Sequence, residues 1–321
     1  MSKDKRQVVI FGGGNGSATT LRAMKRSADI FNLSAVVSMA DSGGSSGRLR
    51  QEFNTLPAGD VLRAILALSS YGYRTVLRPM FYKNRFTGLE KLDGHNLGNL
   101  FLVLTAQYCG GDFVSAMRAL EQAVVAQGTV YPATLDPAHL AAELDNGDIV
   151  RTEAALDHPA YDRAHVIKRV WLEPETAAYP GAIRAIEKAD FLLFGPGSLY
   201  TSVIASLLPR GFKEAMARSK AKTIYIAGNK YELDGETGPT ALHDFVSQLE
   251  QYLPRPIDAV VFNKVTLTPV QQEHYKEKGW AMIEYDPDRL REYLVYAEPF
   301  ERQSGGLSAD RLGRLLREAM T

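Results

Sequence analysis

The sequence predicts an α/β fold: a mainly parallel, Rossmann-like sheet flanked by helices, with a small β-rich insertion. Three observations predict it. Short apolar runs lead straight into glycine loops that open helices. The strand–helix alternation stops near the middle of the chain and then resumes. The segment between has β-type patterning and turn residues instead. Strands that alternate with helices pair in parallel, because a parallel pair needs a long crossover that a helix supplies.

The elements follow in order. Residues 8–11 form an apolar strand that runs into Gly12-Gly13-Gly14-Asn15-Gly16-Ser17, and Leu21 and Met24 mark one face of the helix beyond it. Residues 33–39 form the next strand, which leads to Asp41 and a second loop, Ser42-Gly43-Gly44-Ser45-Ser46-Gly47, before a helix over 48–53. Asp60 stands as the N-cap of an apolar helix over 61–69. Residues 71–91 are mixed and aromatic and support no assignment. Gly94-His95-Asn96-Leu97-Gly98-Asn99 opens a buried helix over 100–108, and 112–127 reads as another. Strand-like runs at 129–134, 139–144 and 166–172, with Asp145-Asn146-Gly147 as a hairpin turn before 148–152, make 128–175 the β-rich insertion. The alternation then returns. The helix at 182–188 leads to a buried strand at 191–194, the loop Gly195-Pro196-Gly197-Ser198 and a helix over 199–208. Strands follow at 223–227, 259–263 and 282–285, with helices at 240–252, 269–278 and 308–320. A length of 321 residues would suit two domains of about 150 residues each, but one large α/β sheet absorbs it, so residues 1–321 read as a single domain.

Composition excludes several functions. Lys plus Arg and Asp plus Glu are both 37, so there is none of the basic surplus of a general nucleic-acid binder. Cys109 is the one cysteine, which rules out an internal disulfide and a cysteine-based zinc site. No apolar stretch reaches the roughly 18 residues of a membrane span, and the first residues lack signal-peptide architecture, so the expected location is cytoplasmic. The remaining histidines, His139, His158, His165, His243 and His274, show no metal-ligand spacing.

In an open parallel sheet, ligands bind beyond the carboxyl ends of the strands. Three loops stand at such ends: Gly12, Gly13, Gly14, Asn15 and Gly16; Gly43, Gly44 and Ser45 after Asp41; and Gly195, Pro196, Gly197 and Ser198. Glycine allows close backbone approach, and a helix start offers free N–H groups with partial positive charge, which suits phosphate or diphosphate. The dinucleotide fingerprint is incomplete, since its third glycine is Ser17 or Thr19, and no Gly-Lys-Ser/Thr phosphate loop is present. That disfavours a nicotinamide dehydrogenase and a kinase. Ser198 lacks the second flanking glycine of a nucleophile elbow, because Tyr200 stands there. Asp41 can hold a divalent ion, accept from a ribose hydroxyl, act as a base, or bond its own turn. His95, Asn96 and Asn99 can read sugar hydroxyls or phosphate oxygens, or serve as a helix cap and a buried histidine. Asn229, Asn263 and Tyr275 lie at or after later strands.

These strings, with Asp41-Ser42-Gly43-Gly44-Ser45-Ser46-Gly47-Arg48-Leu49-Arg50, Gly59-Asp60 and Gly195-Pro196-Gly197-Ser198-Leu199-Tyr200-Thr201-Ser202, resemble the CofD/YvcK family in order and spacing to about residue 290. The resemblance implies one CofD-like domain. In one branch of that family, a phospholactyl-type group moves from a guanosine-diphosphate donor to a deazaflavin alcohol, with a divalent metal. The other branch, the YvcK-like gluconeogenesis factors, binds UDP-sugars such as UDP-N-acetylglucosamine and is linked to cell shape and central carbon metabolism. This sequence is similar to the second branch. The resemblance implies that Asn15 and its loop wrap the nucleotide or diphosphate, that Asp41 is the first member of an Asp-Asp pair, and that His95, Asn96 and Asn99 belong to a Gly-His-x-x-Gly-Asn motif. It matches Asn263 and Tyr275 to a late strand asparagine and the tyrosine after it, and Arg302 to a C-terminal arginine, the tyrosine and arginine being implicated in UDP-sugar binding. Ser42 replaces the second aspartate, and Asn229-Lys230-Tyr231-Glu232-Leu233-Asp234-Gly235-Glu236-Thr237 departs from the usual segment except at Gly-Glu-Thr. The expected ligand is a nucleotide sugar. Mg2+ beside a nucleotide and a homo-oligomer stay open, and the rival reading is the CofD-like transfer with Asp41 as metal holder or base.

Overall fold

The computed structural model describes residues 5–321. Twelve strands form: β1 (Arg6–Phe11), β2 (Phe31–Val37), β3 (Gly128–Pro132), β4 (His139–Leu144), β5 (Ile149–Arg151), β6 (Ile167–Glu173), β7 (Phe191–Phe194), β8 (Lys222–Ala227), β9 (Lys230–Glu232), β10 (Ala259–Asn263), β11 (Trp280–Met282) and β12 (Leu294–Glu298). The helices are α1 (Gly14–Lys25), α2 (Gly44–Phe53), α3 (Gly59–Leu68), α4 (Leu97–Tyr108), α5 (Phe113–Ala123), α6 (Glu153–Asp157), α7 (Pro180–Glu187), α8 (Phe212–Arg218), α9 (Leu242–Glu250), α10 (Pro269–Glu277) and α11 (Ala309–Met320).

Seven strands make one sheet in the order β12-β10-β8-β7-β1-β2-β3, every neighbour parallel. Its central strands are continuous apolar runs because helices cover both faces. Alternation splits each run between two cores: Val8 and Ile10 of β1 face one, Val9 and Phe11 the other. The first core holds apolar residues of α1, α3, α4, α5 and α11, and the second those of α7, α8 and α9. From β1 the chain steps outward to β2 and β3, then returns to β7 on the opposite side of β1. The connections leaving β1 and β7 therefore diverge, and a crevice opens at this switch point.

The β-rich insertion starts later than its expected boundary of 128. Residues 128–132 pair in parallel with β2, Leu33 against Gly128 and Val37 against Pro132, and so belong to the main sheet. The separate antiparallel sheet is β5-β4-β6, and its Leu140, Ala142, Val170 and Leu172 join the second core. An apolar run carries no mark of which sheet it will enter; the partner strand decides. The expected hairpin turn forms, with Gly147 at φ +90° between β4 and β5.

Other expectations shift as well. Residues 199–208 form a π-helical turn (Leu199–Val203) and a 3-10 turn (Ile204–Ser206) rather than an α-helix. The expected strand at 282–285 is displaced to β11, which pairs antiparallel with β9. Edge strand β12 had no sequence assignment, and residues 71–91 contain a π-helical segment, Tyr73–Lys83. Asp60 is not an N-cap: Ala58 holds that position, and Asp60 lies in the first turn of α3. Asp41 lies in the loop beyond β2, which ends at Val37. Among the described residues, no helix is long and apolar enough to cross a membrane.

Candidate functional site

A cleft of about 1700 Å³ opens over the switch point. Gly13, Gly14, Asn15 and Gly16 line it, with Asp41, Gly43, Gly44, Ser45 and Asp60. Asn96, Asn99, Pro196, Gly197, Ser198, Asn229, Tyr275 and Arg302 line it too. Residues far apart in sequence thus meet because every loop concerned leaves the same edge of one sheet. Gly12, His95, Gly195 and Asn263 do not line it. Gly12 and Gly195 extend the sheet ladder instead, the Gly12 amide donating to Val36 O and the Gly195 amide to Phe11 O, each at 3.2 Å.

The first turns of α1, α2 and α3 open on this cleft, and none has a capping side chain: the cap residues are Gly13, Gly43 and Ala58. Uncapped helix starts leave N–H groups and positive partial charge free for an anion. Glycine at position 16 has a packing cause. A Cβ there would stand 2.0 Å from Pro196 O, so the 195–198 loop reaches α1 only over glycine.

Carboxylates crowd the same loops. Asp41 Oδ1 accepts from the Gly43 amide at 3.0 Å. Glu153, at the start of α6, accepts from the Ser42 amide at 3.2 Å, and Ser42 Oγ accepts from the Ala154 amide at 3.0 Å. Serine at position 42 therefore ties the insertion to the site, and the insertion returns a carboxylate beside Asp41. Burial, then the charge of Asp60, raises the Asp41 pKa. Burial, then Asp41, pushes Glu153 up to about 8. Asp60 is paired with Arg63 at 2.5 Å, and that guanidinium also donates to the Tyr82 hydroxyl. Glu236 accepts from the Tyr200 and Thr201 amides at 3.1 and 2.9 Å, and removal from water pushes its pKa up to about 7. The amides that follow Ser198, expected to meet phosphate, are thus held by a side chain.

The Gly94–Asn99 cluster is built around Ser45. His95 Nδ1 lies 2.8 Å from Ser45 Oγ, and Asn99 Nδ2 donates to the same oxygen at 3.1 Å. Asn96 Oδ1 accepts from the Asn99 amide at 2.8 Å, so Asn96 caps α4. Burial pushes the His95 pKa down, which favours neutral imidazole. Asn99 Oδ1 and His95 Nε2 are buried and have no hydrogen-bond partner among the described residues. Asn99 lines the cleft, so its carbonyl is an acceptor directed to a ligand's N–H or O–H.

Asn263 does not read a ligand directly. Its Nδ2 donates to Glu301 Oε2 and its Oδ1 accepts from the Phe300 amide, both at 2.7 Å, which uses the side chain internally. Tyr275 stands between Asn229 Oδ1 and Glu301 Oε1, its hydroxyl 3.1 Å from each. Burial, then Glu301, raises the phenol pKa and keeps it a neutral donor. Glu153, Glu236, Arg22, Arg63 and Arg74 belong to the cleft and were not singled out in the sequence. Only Glu236 had a local signal, the Gly-Glu-Thr string. Among the described residues, no group of three or more His, Cys, Asp or Glu side chains is arranged to hold a metal.

The family model described as 2-phospho-L-lactate transferase CofD matches residues 8–299. A Thermotoga maritima relative is 37% identical over 294 residues, covering 92% of this chain and 90% of its own. The Gluconeogenesis factor of Bacillus subtilis is 34% identical over 289 residues, covering 89% of this chain and 88% of its own. A crystal structure of a Bacillus halodurans protein superposes with a TM-score of 0.88 at 30% identity over 99% of both chains. With a family match across nearly the whole chain and relatives of this identity and extent, this chain belongs to the CofD family, among its gluconeogenesis-factor relatives.

Proposed function

We propose that the chain binds a nucleotide-diphosphate sugar, UDP-linked as in UDP-N-acetylglucosamine, and acts as a metabolic and cell-shape regulator. One observation carries the reading: three helix starts without capping side chains converge on one cleft at the switch point. α1 and α2 neutralise the diphosphate through first-turn amides. Asn15 and the open carbonyl of Asn99 read uridine or sugar, and Tyr275 and Arg302 contact the sugar nucleotide. The gluconeogenesis-factor name of the relatives supports a regulatory role.

Calorimetric titration with UDP-N-acetylglucosamine, UDP-glucose, GDP, GTP and NAD, each with and without magnesium, tests this. Saturable, magnesium-insensitive binding of a UDP-sugar is expected, and no binding of any UDP-sugar at millimolar concentration overturns it. Glu153 beside Asp41 favours one rival, the phospholactyl-type transfer to an alcohol. In that reaction the acceptor hydroxyl attacks phosphorus and the nucleotide leaves, while Asp41 takes the hydroxyl proton. Turnover of a guanosine-diphosphate donor that collapses in Asp41→Asn would establish the rival.

A further inference from the structure

Carboxylates gather at the glycine loops, but one wall of the cleft is cationic. Arg22 of α1, Arg74 in the π-helical segment and Arg302 before α11 all line it. The Arg22 guanidinium stacks 4.9 Å from the Tyr73 ring centroid and donates to Thr19 Oγ1 at 2.7 Å. Among the described residues, none of the three forms an ion pair, and two acids that share the cleft are engaged elsewhere. Asp310 is 2.5 Å from Arg26, and Asp60 is 2.5 Å from Arg63. Arg302 and Arg74 act on Arg22 by repulsion, and burial adds to it, so its pKa is lowered.

Guanidinium groups gathered in a recess without counter-charge repel one another, and an entering anion relieves that cost. Their planar fork suits the paired oxygens of phosphate or carboxylate. The position also differs from that of the helix starts. Thr19, which holds Arg22, lies five residues beyond Gly14, about 7 Å along the helix axis. One phosphate group does not span both places.

We propose that Arg22, Arg74 and Arg302 form a second oxyanion subsite, which receives an acidic group on the sugar of a nucleotide-linked ligand. The ligand class is then a nucleotide-linked sugar acid or sugar phosphate rather than a neutral sugar. This rests on the nucleotide-sugar reading for the first anion only; the second subsite is built from different residues.

The test titrates the wild type, Arg22→Gln and Arg74→Gln with UDP-glucose and UDP-glucuronate, and repeats UDP-glucose with inorganic phosphate present. Arg74 is exposed, so its substitution leaves folding intact. The wild type is expected to prefer UDP-glucuronate by about tenfold, with the ratio falling towards one in both variants. A rise in UDP-glucose affinity on adding phosphate, absent in the variants, assigns the subsite to free phosphate and supports the same chemistry. Equal affinity for both sugars in the wild type with no phosphate effect overturns the proposal. If no UDP-sugar binds, the nucleotide reading fails by itself, and inorganic phosphate alone still tests the subsite. Phosphate should then raise the melting temperature of the wild type more than that of either variant, and equal shifts overturn the proposal.

Discussion

At the residue scale, two asparagines matched to the same family do different work. Asn99 has a buried carbonyl with no partner, whereas Asn263 spends both ends of its amide on Glu301 and Phe300. Asn263→Ala should therefore destabilise the fold by about 2 kcal/mol, because it strands a buried carboxylate oxygen and a backbone amide. Asn99→Ala should cost less stability and weaken ligand binding about tenfold, since the lost carbonyl is an acceptor for the ligand. Denaturant unfolding and titration of both variants separate the two roles. Glu153 has a pH signature. Its pKa rises from 4.5 unfolded to about 8 folded, so the folded state binds the extra proton. Its contribution to stability is full below about pH 4.5 and is lost as pH rises towards 8. Glu153→Gln should match the wild type in acid and exceed it by about 2 kcal/mol at pH 9, as melting curves across that range would show.

At the element scale, the site depends on how closely α1 approaches the 195–198 loop. Gly16→Ala puts a methyl group into Pro196 O and should cost about 3 kcal/mol, with loss of ligand binding, because the loop and helix must separate. Thermal unfolding and titration check both effects. The insertion is fastened at the same place. Ser42→Ala removes the acceptor for the Ala154 amide. Hydrogen exchange should then speed up in α6 and β5 while β1 and β7 stay protected, at a cost of about 1 kcal/mol. Uniform exchange rates in both proteins would refute the tie. β12 escaped the sequence reading because it is a short, half-exposed edge strand without a continuous apolar run.

At the scale of the whole molecule, strand order decides where the chemistry can sit. Had β7 added beyond β3 instead of beside β1, the glycine loops after β1 and β7 would lie at different points of the sheet edge. The observed order brings them together and faces them with carboxylates at the loops and arginines on one wall. Of the 21 residues expected at the site, four do not line the cleft: Gly12, His95, Gly195 and Asn263. These four are locally indistinguishable from their neighbours, since whether a loop residue points to a cleft or finishes a ladder depends on the strand beside it.

The sequence by itself determined the α/β class, the parallel strands that lead into glycine loops, and the chain's place in its family. Those properties are local: apolar runs, glycine and turn chemistry act over a few residues, and motif order can be read along the chain. Only the tertiary structure decided that residues 128–132 join the main sheet, that Glu153 returns a carboxylate beside Asp41, and that Glu236 covers the amides after Ser198. It also decided that Arg22, Arg74 and Arg302 meet. Each of these depends on partners far away in the chain, and pairing, burial and charge proximity exist only after the sheet has set its strand order.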